Sequence, residues 1–338
     1  MKTSIAAAAL AAGLGASPAS AFTTIYAFGD SLSDVGNVYT ALGVPAAPYY
    51  QGRFSNGPNW VDDLSTDLGL GAVTPSLTGG NDFAVGGAQT GPTPVNSGSP
   101  IDLDGQVALF TSLHSLPGSS PKSGALYTLD IGANDIMNAL GTYGASDATD
   151  LTAFLNQAVS NTVAAVDGLF KDGAQDLLYY EVPDLSVVPA FANYGSEAGT
   201  LAKDFNEDVL ADFAPLESQG LTVFDVPIFN ALDQIVADPT RYGFTNVTTP
   251  CFSGSFDTAG TECSNPNQYL FWDQEHPTAA AHALTAEVAY DVLEGDPIAV
   301  GVPEPSTWAL MLTGFAGLGL LSLRSARRMA PVKVKRRK

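Results

Sequence analysis

Thr23-Thr24-Ile25-Tyr26-Ala27-Phe28-Gly29-Asp30-Ser31-Leu32-Ser33-Asp34 is the stretch that decides the fold. Five of its first six residues are β-branched or aromatic, and the run is short and stopped by Gly29. They therefore read as a buried strand that delivers Asp30 and Ser31 to its carboxyl end. Ligands of open parallel α/β sheets bind at that edge. A serine at a strand-to-helix turn offers a free backbone N–H and an exposed hydroxyl, two requirements of an acyl-transfer nucleophile. The same residues also serve as ordinary helix caps, so the stretch needs support from the rest of the chain.

Downstream, short apolar runs alternate with helical spacing. Helical segments are expected from Asp34 to Leu42, Trp60 to Leu68, Leu151 to Phe170, Glu197 to Phe213, Phe229 to Val236 and Thr278 to Leu293. Strands are expected at Ala125 to Ile131, Leu177 to Val182 and Leu221 to Val226, and Asp82 to Ala88 forms another short apolar run ending in paired glycines. Residues 91–124, rich in Gly, Ser and Pro around an amphipathic piece at Gln106 to Leu113, read mostly as surface loop. Alternation of this kind argues a parallel sheet covered on both faces. No repeat or internal linker divides residues 22–301, whose length suits one large α/β domain.

Both ends stand apart. Met1-Lys2, the apolar stretch Ile5 to Ala16 and Ala19-Ser20-Ala21 have the form of a secretory signal peptide, with the mature chain starting at Phe22. At the other end Val302-Pro303-Glu304-Pro305-Ser306 precedes an apolar run from Trp308 to Leu323, about 24 Å long as a helix, and a basic tail over 324–338. The basic cluster should stay cytoplasmic and leave the domain outside. A permanent anchor and a processed sorting signal both fit this arrangement.

Between the ends, five Lys and Arg face 34 Asp and Glu, a net charge of −29 against −21 for all 338 residues. Such a surface repels nucleic acid and anionic headgroups, so uncharged esters and carbohydrate are the easier partners. The two cysteines, Cys251 and Cys263, are expected to pair in an oxidising compartment and to tie down the segment leading into Asp273 and His276.

The chemistry can be assembled from strand ends. Ser31 needs a base to take its proton. Of the histidines, His276 follows Asp273 by three residues, a spacing at which the carboxylate reaches Nδ1 and leaves Nε2 for a serine. His282 reads as a surface or packing residue of the closing helix, and His114 falls in the loop-rich stretch. The backbone N–H groups of Ser31 and Gly87 and the amide of Asn134 could hold an oxyanion. Scattered histidines without His-x-x-x-His or Cys/His spacing argue against a zinc site, and no cofactor is expected.

Gly29-Asp30-Ser31-Leu32, Gly86-Gly87, Gly132-Ala133-Asn134-Asp135 and Asp273-Gln274-Glu275-His276 resemble, in order, the four blocks of the GDSL, or SGNH, family of secreted esterases and lipases. The likeness continues through Gly52 to Pro58, Pro183-Asp184-Leu185, Tyr242-Gly243-Phe244 and Phe271-Trp272, and spans nearly all of 22–293. It implies a three-layer α/β/α sandwich of the flavodoxin-like kind, with Ser31 as nucleophile, His276 as base, Asp273 as orienting acid, and Ser31, Gly87 and Asn134 as oxyanion donors. Asp82 stands where many relatives carry Asn. Asp34, Asn37 and Asp135 match the blocks and read as turn and capping residues. The segment from Val302 onward resembles a PEP-CTERM sorting signal of Gram-negative bacteria, which implies a processing transpeptidase and only transient membrane association through 308–323. The expected reaction is hydrolysis of a small, lipid or acylated-carbohydrate ester. Transfer of the acyl group to another acceptor, deacetylation of exopolysaccharide and a non-catalytic matrix-binding role are its rivals.

Overall fold

The computed structural model describes residues 22–295 except 94–100, 116, 117, 119, 122 and 146. The signal-peptide and sorting-segment readings lie outside the described residues. Among those described, no helix is long and apolar enough to cross a membrane.

Four strands, β1 (Thr24–Gly29), β2 (Ala125–Asp130), β3 (Asp176–Tyr180) and β4 (Thr222–Val226), lie side by side in that order, all parallel. Register pairs Phe28 with Leu129 and Gly29 with Asp130. β1 and β2 are buried along their whole length, as strands covered on both faces must be, whereas β4 is the partly exposed edge. On the other side of β1 the Asp82 run lies parallel to it: Ala27 N donates to Asn81 O, Phe83 N to Ala27 O and Val85 N to Gly29 O. Its neighbours on both sides make β1 the point where the chain reverses direction across the sheet. In open α/β sheets the ligand crevice lies at the carboxyl end of such a strand, and Ser31 stands there.

Two groups of helices pack on the sheet. α3 (Leu103–His114), α4 (Ala133–Tyr143), α5 (Ala148–Lys171) and α6 (Ser196–Glu217) contact one another, as do α2 (Trp60–Asp67), α7 (Ile228–Ala237) and α8 (Ala279–Glu294), while α1 (Asn37–Leu42) follows the first strand. Successive strand residues show the two faces directly. Tyr179 donates its hydroxyl to Asn206 of α6, and its neighbour Tyr180 stacks on Trp60 of α2 at 4.5 Å between ring centroids. Tyr26, Phe28, Phe83 and Tyr127 gather around Phe110 of α3, each within 6 Å of its ring. A buried aromatic side chain contributes about 1.5–3 kcal/mol relative to exposure.

Three local expectations are corrected. The amphipathic piece at Gln106 to Leu113 extends over Leu103–His114 as α3, which buries Leu103, Gln106, Val107 and Phe110 and is a core element rather than part of a surface loop. Gly132-Ala133-Asn134-Asp135 opens a full helix, α4, whose Ile136, Ala139 and Leu140 form one buried stripe. α6 runs past Phe213 through Pro215 to Glu217, giving up the one ladder hydrogen bond that the proline nitrogen cannot donate.

A second, smaller apolar cluster joins Tyr49, Cys251, Phe252 and Trp272. Cys251 and Cys263 form the disulfide, and a two-stranded antiparallel hairpin, β5 (Phe252–Ser253) with β6 (Thr261–Glu262), lies inside its loop. Cys251 N and Phe252 N donate to Phe271 O and Trp272 O. The disulfide loop is thereby fastened to the backbone that leads into Asp273.

Candidate active site

Asp30 begins a tight turn at the end of β1: its carbonyl accepts from Ser33 N and Asp34 N, and its Oδ1 from Leu32 N at 3.0 Å. The turn lifts Ser31 to a half-buried position while Asp30 stays buried. Gly29, with φ of 141°, must be glycine, since a Cβ there would run into the carbonyl and carboxyl of Asp130.

Asp273 and His276 come from a turn that the side chain of Asp273 itself closes. Its Oδ1 accepts from Glu275 N at 2.9 Å and His276 N at 2.8 Å. His276 Nδ1 lies 2.9 and 2.8 Å from the two carboxylate oxygens, and His276 Nε2 lies 2.8 Å from Ser31 Oγ. Three side chains expected to cooperate are therefore in one hydrogen-bonded line, with Asp273 and His276 buried. Burial pulls the imidazole down, but the Asp273 carboxylate outweighs it and holds the ring up at about 9. Burial also pushes Asp273 up, and His276 with the two backbone donors brings it below the ordinary carboxylate value.

Tyr49 is a participant that no sequence pattern pointed to. Its hydroxyl donates to Asp273 Oδ2 at 2.8 Å, and burial followed by the charge of Asp273 raises its pKa. The rings of Phe54 and Phe256 lie 5.2 and 5.9 Å from the imidazole, walling it from the side of the disulfide loop.

The Gly86-Gly87 loop is clamped at both ends. Gly86 N donates to Asp34 Oδ2, and Thr90 N and Oγ1 donate to the two oxygens of Asp135. Asp34 also accepts from Gly36, Asn37 and Val38 at the start of α1, as a turn and capping residue does, with a second task added, whereas Asp135 is spent on Thr90. Between Gly86 and Gly87 the geometry makes a choice. The Gly86 N–H is spent on Asp34, and a Cβ there would enter the Phe54 ring, whereas Gly87 has φ of 81° and open space around it. Among the described residues neither Ser31 N–H nor Gly87 N–H has an acceptor. Asp82 accepts from Val35 N, Ala84 N and Asn37 Nδ2, so all its bonds here come from N–H donors.

Asn134, in the first turn of α4, points its amide Nδ2 at Asp30 Oδ2 (3.2 Å) and Ala88 O (3.1 Å). An amide carries two N–H donors, so one must turn from these acceptors to serve an oxyanion. His282 is buried inside α8, where burial and the nearby His276 hold it far down, at about 3 and uncharged. His114 packs on Phe110 within α3, with Nδ1 2.9 Å from Phe110 O. Neither belongs to the site. Among the described residues no group of three or more His, Cys, Asp or Glu could hold a metal ion.

From Ser31, Asn134 and His276 a cavity of about 70 Å³ runs inward, lined by apolar side chains including Met137, Leu185, Phe191, Leu232, Ile235 and Phe271. The arrangement can polarise the Ser31 hydroxyl toward His276, offer backbone N–H groups to a developing negative charge, and bury an alkyl chain alongside.

The family described as GDSL-like Lipase/Acylhydrolase matches residues 25–289. The chain is 28% identical over 330 residues to the phosphatidylcholine-sterol acyltransferase of Aeromonas hydrophila, covering 81% of this chain and 91% of that one. It is 25% identical over 329 residues to GDSL esterase/lipase 6 of Arabidopsis thaliana, covering 82% and 88%. A solved structure of a lipolytic G-D-S-L family member from Veillonella parvula aligns with TM-score 0.43 at 13% identity, over 80% of this chain and 97% of that one. The chain belongs to the GDSL-like lipase/acylhydrolase family and is a GDSL-type esterase/lipase.

Proposed function

We propose that this member of the GDSL-like lipase/acylhydrolase family hydrolyses carboxylic esters through an acyl-enzyme on Ser31, with His276 as general base, Asp273 as its orienting acid, and Ser31 N, Gly87 N and Asn134 as oxyanion donors. The observation that carries the reading is the unbroken line from Asp273 through His276 to Ser31, ending at the mouth of an apolar cavity.

The steps follow from the atoms. Ser31 Oγ attacks the ester carbonyl carbon as His276 Nε2 takes its proton, and the negative charge moves onto the carbonyl oxygen among the three donors. The imidazolium, held by Asp273, returns that proton to the leaving alkoxide, which departs as an alcohol. Water then attacks the acyl-serine, gives a proton to His276, and the acid leaves as Ser31 regains its hydrogen. The acyl chain lies in the apolar cavity, where each buried methylene contributes about 0.8 kcal/mol.

The test is hydrolysis of p-nitrophenyl esters from acetate to palmitate by the parent, Ser31→Ala and His276→Ala. The parent should turn over with longer acyl groups favoured over acetate, and each variant should lose about 10⁴-fold or more in kcat. A folded parent with no serine-dependent turnover at any chain length sinks the proposal. A second reading, acyl transfer to an alcohol, is supported by the relation to an acyltransferase. It would show as a new ester when an alcohol is added. A preference for acetate would instead favour polysaccharide deacetylation. Export from a Gram-negative cell, removal of 1–21, and sorting by a transpeptidase that recognises 302–338 complete the proposal and are supported by the sequence of the two ends.

A further inference from the structure

Directly beneath Ser31 lies a pair of carboxyl groups that the mechanism above does not use. Asp30 and Asp130 stand at the paired ends of β1 and β2, and both are buried, at 3% and 2% exposure. Asp130 Oδ1 accepts from the Ser33 hydroxyl, which in turn receives a hydrogen bond from Trp60 Nε1 at 3.1 Å. Asp130 Oδ2 is buried with no donor aimed at it among the described residues, and its side-chain neighbour is the Asp30 carboxyl. Asp30 has the opposite surroundings. Its Oδ1 accepts from Leu32 N and its Oδ2 from Asn134 Nδ2. An ionised carboxylate only accepts, so a buried oxygen beside a second carboxylate is satisfied when it carries the proton itself.

We propose that Asp130 is a neutral acid whose Oδ2–H donates to Asp30, and that this one-proton pair keeps Asp30 anionic and aimed at Asn134, making both aspartates positioning residues for the oxyanion donor. The inference rests on the esterase reading above and adds to it a device that sets where Asn134 points. Asp130 is pushed well up by burial first and by the Asp30 charge second. Asp30 is raised by burial, while Leu32 N, Asp130 and His276 each pull it back toward the charged form. The charged and titratable groups facing the pair are His276 and Glu275 on the Asp30 side, Asp82 on the Asp130 side, and Tyr180, which feels both carboxyls. Gly29 is what lets the two strand ends approach, since any Cβ would fill the space Asp130 occupies.

The test combines kinetics with a direct reading of the proton. Asp130→Asn keeps a neutral donor toward Asp30 and an acceptor for Ser33, and is expected to hold kcat within about 3-fold of the parent. Asp130→Val removes the donor, and Asp30→Asn removes the anion. Each should lower kcat by about 10- to 100-fold with KM within a few-fold, because an oxyanion donor acts in the transition state. Near-ultraviolet circular dichroism checks that each variant is folded. In infrared difference spectra at pH 7, parent minus Asp130→Asn should contain the carbonyl stretch of a neutral carboxyl. Absence of that band, or Asp130→Val as active as Asp130→Asn, overturns the proposal. Should Asp130→Asn not fold, aspartate-labelled parent read by carbon NMR must show one carboxyl protonated above pH 7 whose signal moves in Asp30→Asn. A parent without such a carboxyl overturns it equally. Ser31→Ala assayed on the same esters separates the two layers: retained turnover there defeats the esterase reading and leaves the infrared result standing.

Discussion

The two halves of the site are held in different ways. Ser31 rides on β1, paired in register to β2, backed by the Phe110 aromatic cluster and by helices on both faces. Asp273 and His276 ride on a short turn whose support is the small cluster of Tyr49, Cys251, Phe252 and Trp272, a disulfide, and a handful of backbone bonds. The difference teaches where the molecule places rigidity through packing and where through local links. A nucleophile at a sheet edge inherits the stability of the whole core. An acid–base pair on a loop must be fastened locally, by Tyr49, by the turn that Asp273 closes, and by the covalent staple.

The strongest way to break the comparison is to remove the acid. Asp273→Ala should cut kcat by about 10⁴-fold, since the histidine loses both orientation and the partner for its charged form. Thermal unfolding should register the loss locally, and the core should persist. The pH profile comes next. With the imidazole held at about 9 it is charged at neutral pH, so kcat/KM should rise about tenfold per pH unit and level off near 9. Stability should run the other way. A histidine raised above 6.5 stabilises fully below that value and loses its contribution as pH rises through about 9, so the loop half loosens where activity peaks. Asp273, lowered from 3.8, contributes above that value and gives it up only as pH falls below it. A profile already flat at pH 7 would contradict the charged histidine.

Reducing the disulfide, or Cys251→Ala with Cys263→Ala, should cost about 3 kcal/mol in the chain-entropy account. Hydrogen exchange should rise around 251–276 before it does in β1 and β2. Equal loss of protection across the sheet would mean the halves are not separately supported. Tyr49→Phe removes one hydrogen bond to a charged group, worth about 1.5–3 kcal/mol, with kcat falling several-fold. Gly86→Ala and Gly87→Ala sharpen the picture on the nucleophile side. The first pushes the Phe54 ring that lies beside His276, and the second has room and is penalised by its positive φ, about 1–2 kcal/mol. The Gly86 variant should therefore disturb the histidine and the Gly87 variant the oxyanion site.

What could be read from residue order follows the same division. β1 and β2 announce themselves because strands buried on both faces must be continuous apolar runs, and the three-residue step from Asp273 to His276 is short enough to read as geometry. α4 escaped because Gly132, Asn134, Asp135 and Gly141 are weak helix formers that mask the stripe of Ile136, Ala139 and Leu140. α3 was legible only as the amphipathic piece Gln106 to Leu113, because Gly- and Pro-rich flanks lend a loop character to its surroundings and hide that it is a core helix. The Tyr49 bond to Asp273 closes over 224 residues, and the meeting of Asp30 with Asp130 over a hundred. No periodicity encodes such encounters. They arise from strand register and loop packing, which single-chain patterns do not carry.

Phe256 sits inside the Cys251–Cys263 loop, with its ring against Phe54 and toward the imidazole. In engineering terms the loop is a cassette. Its two ends are cross-linked to each other, and the Cys251 end is anchored on the 271–272 backbone, so its interior can be lengthened, shortened or recoded without a change in sheet register. A library confined to residues 253–261 would alter the wall beside His276 while Ser31 stays where the core puts it. On the proposed mechanism, such a library should shift substrate range while serine-dependent turnover persists, which assaying its members on the same esters would check.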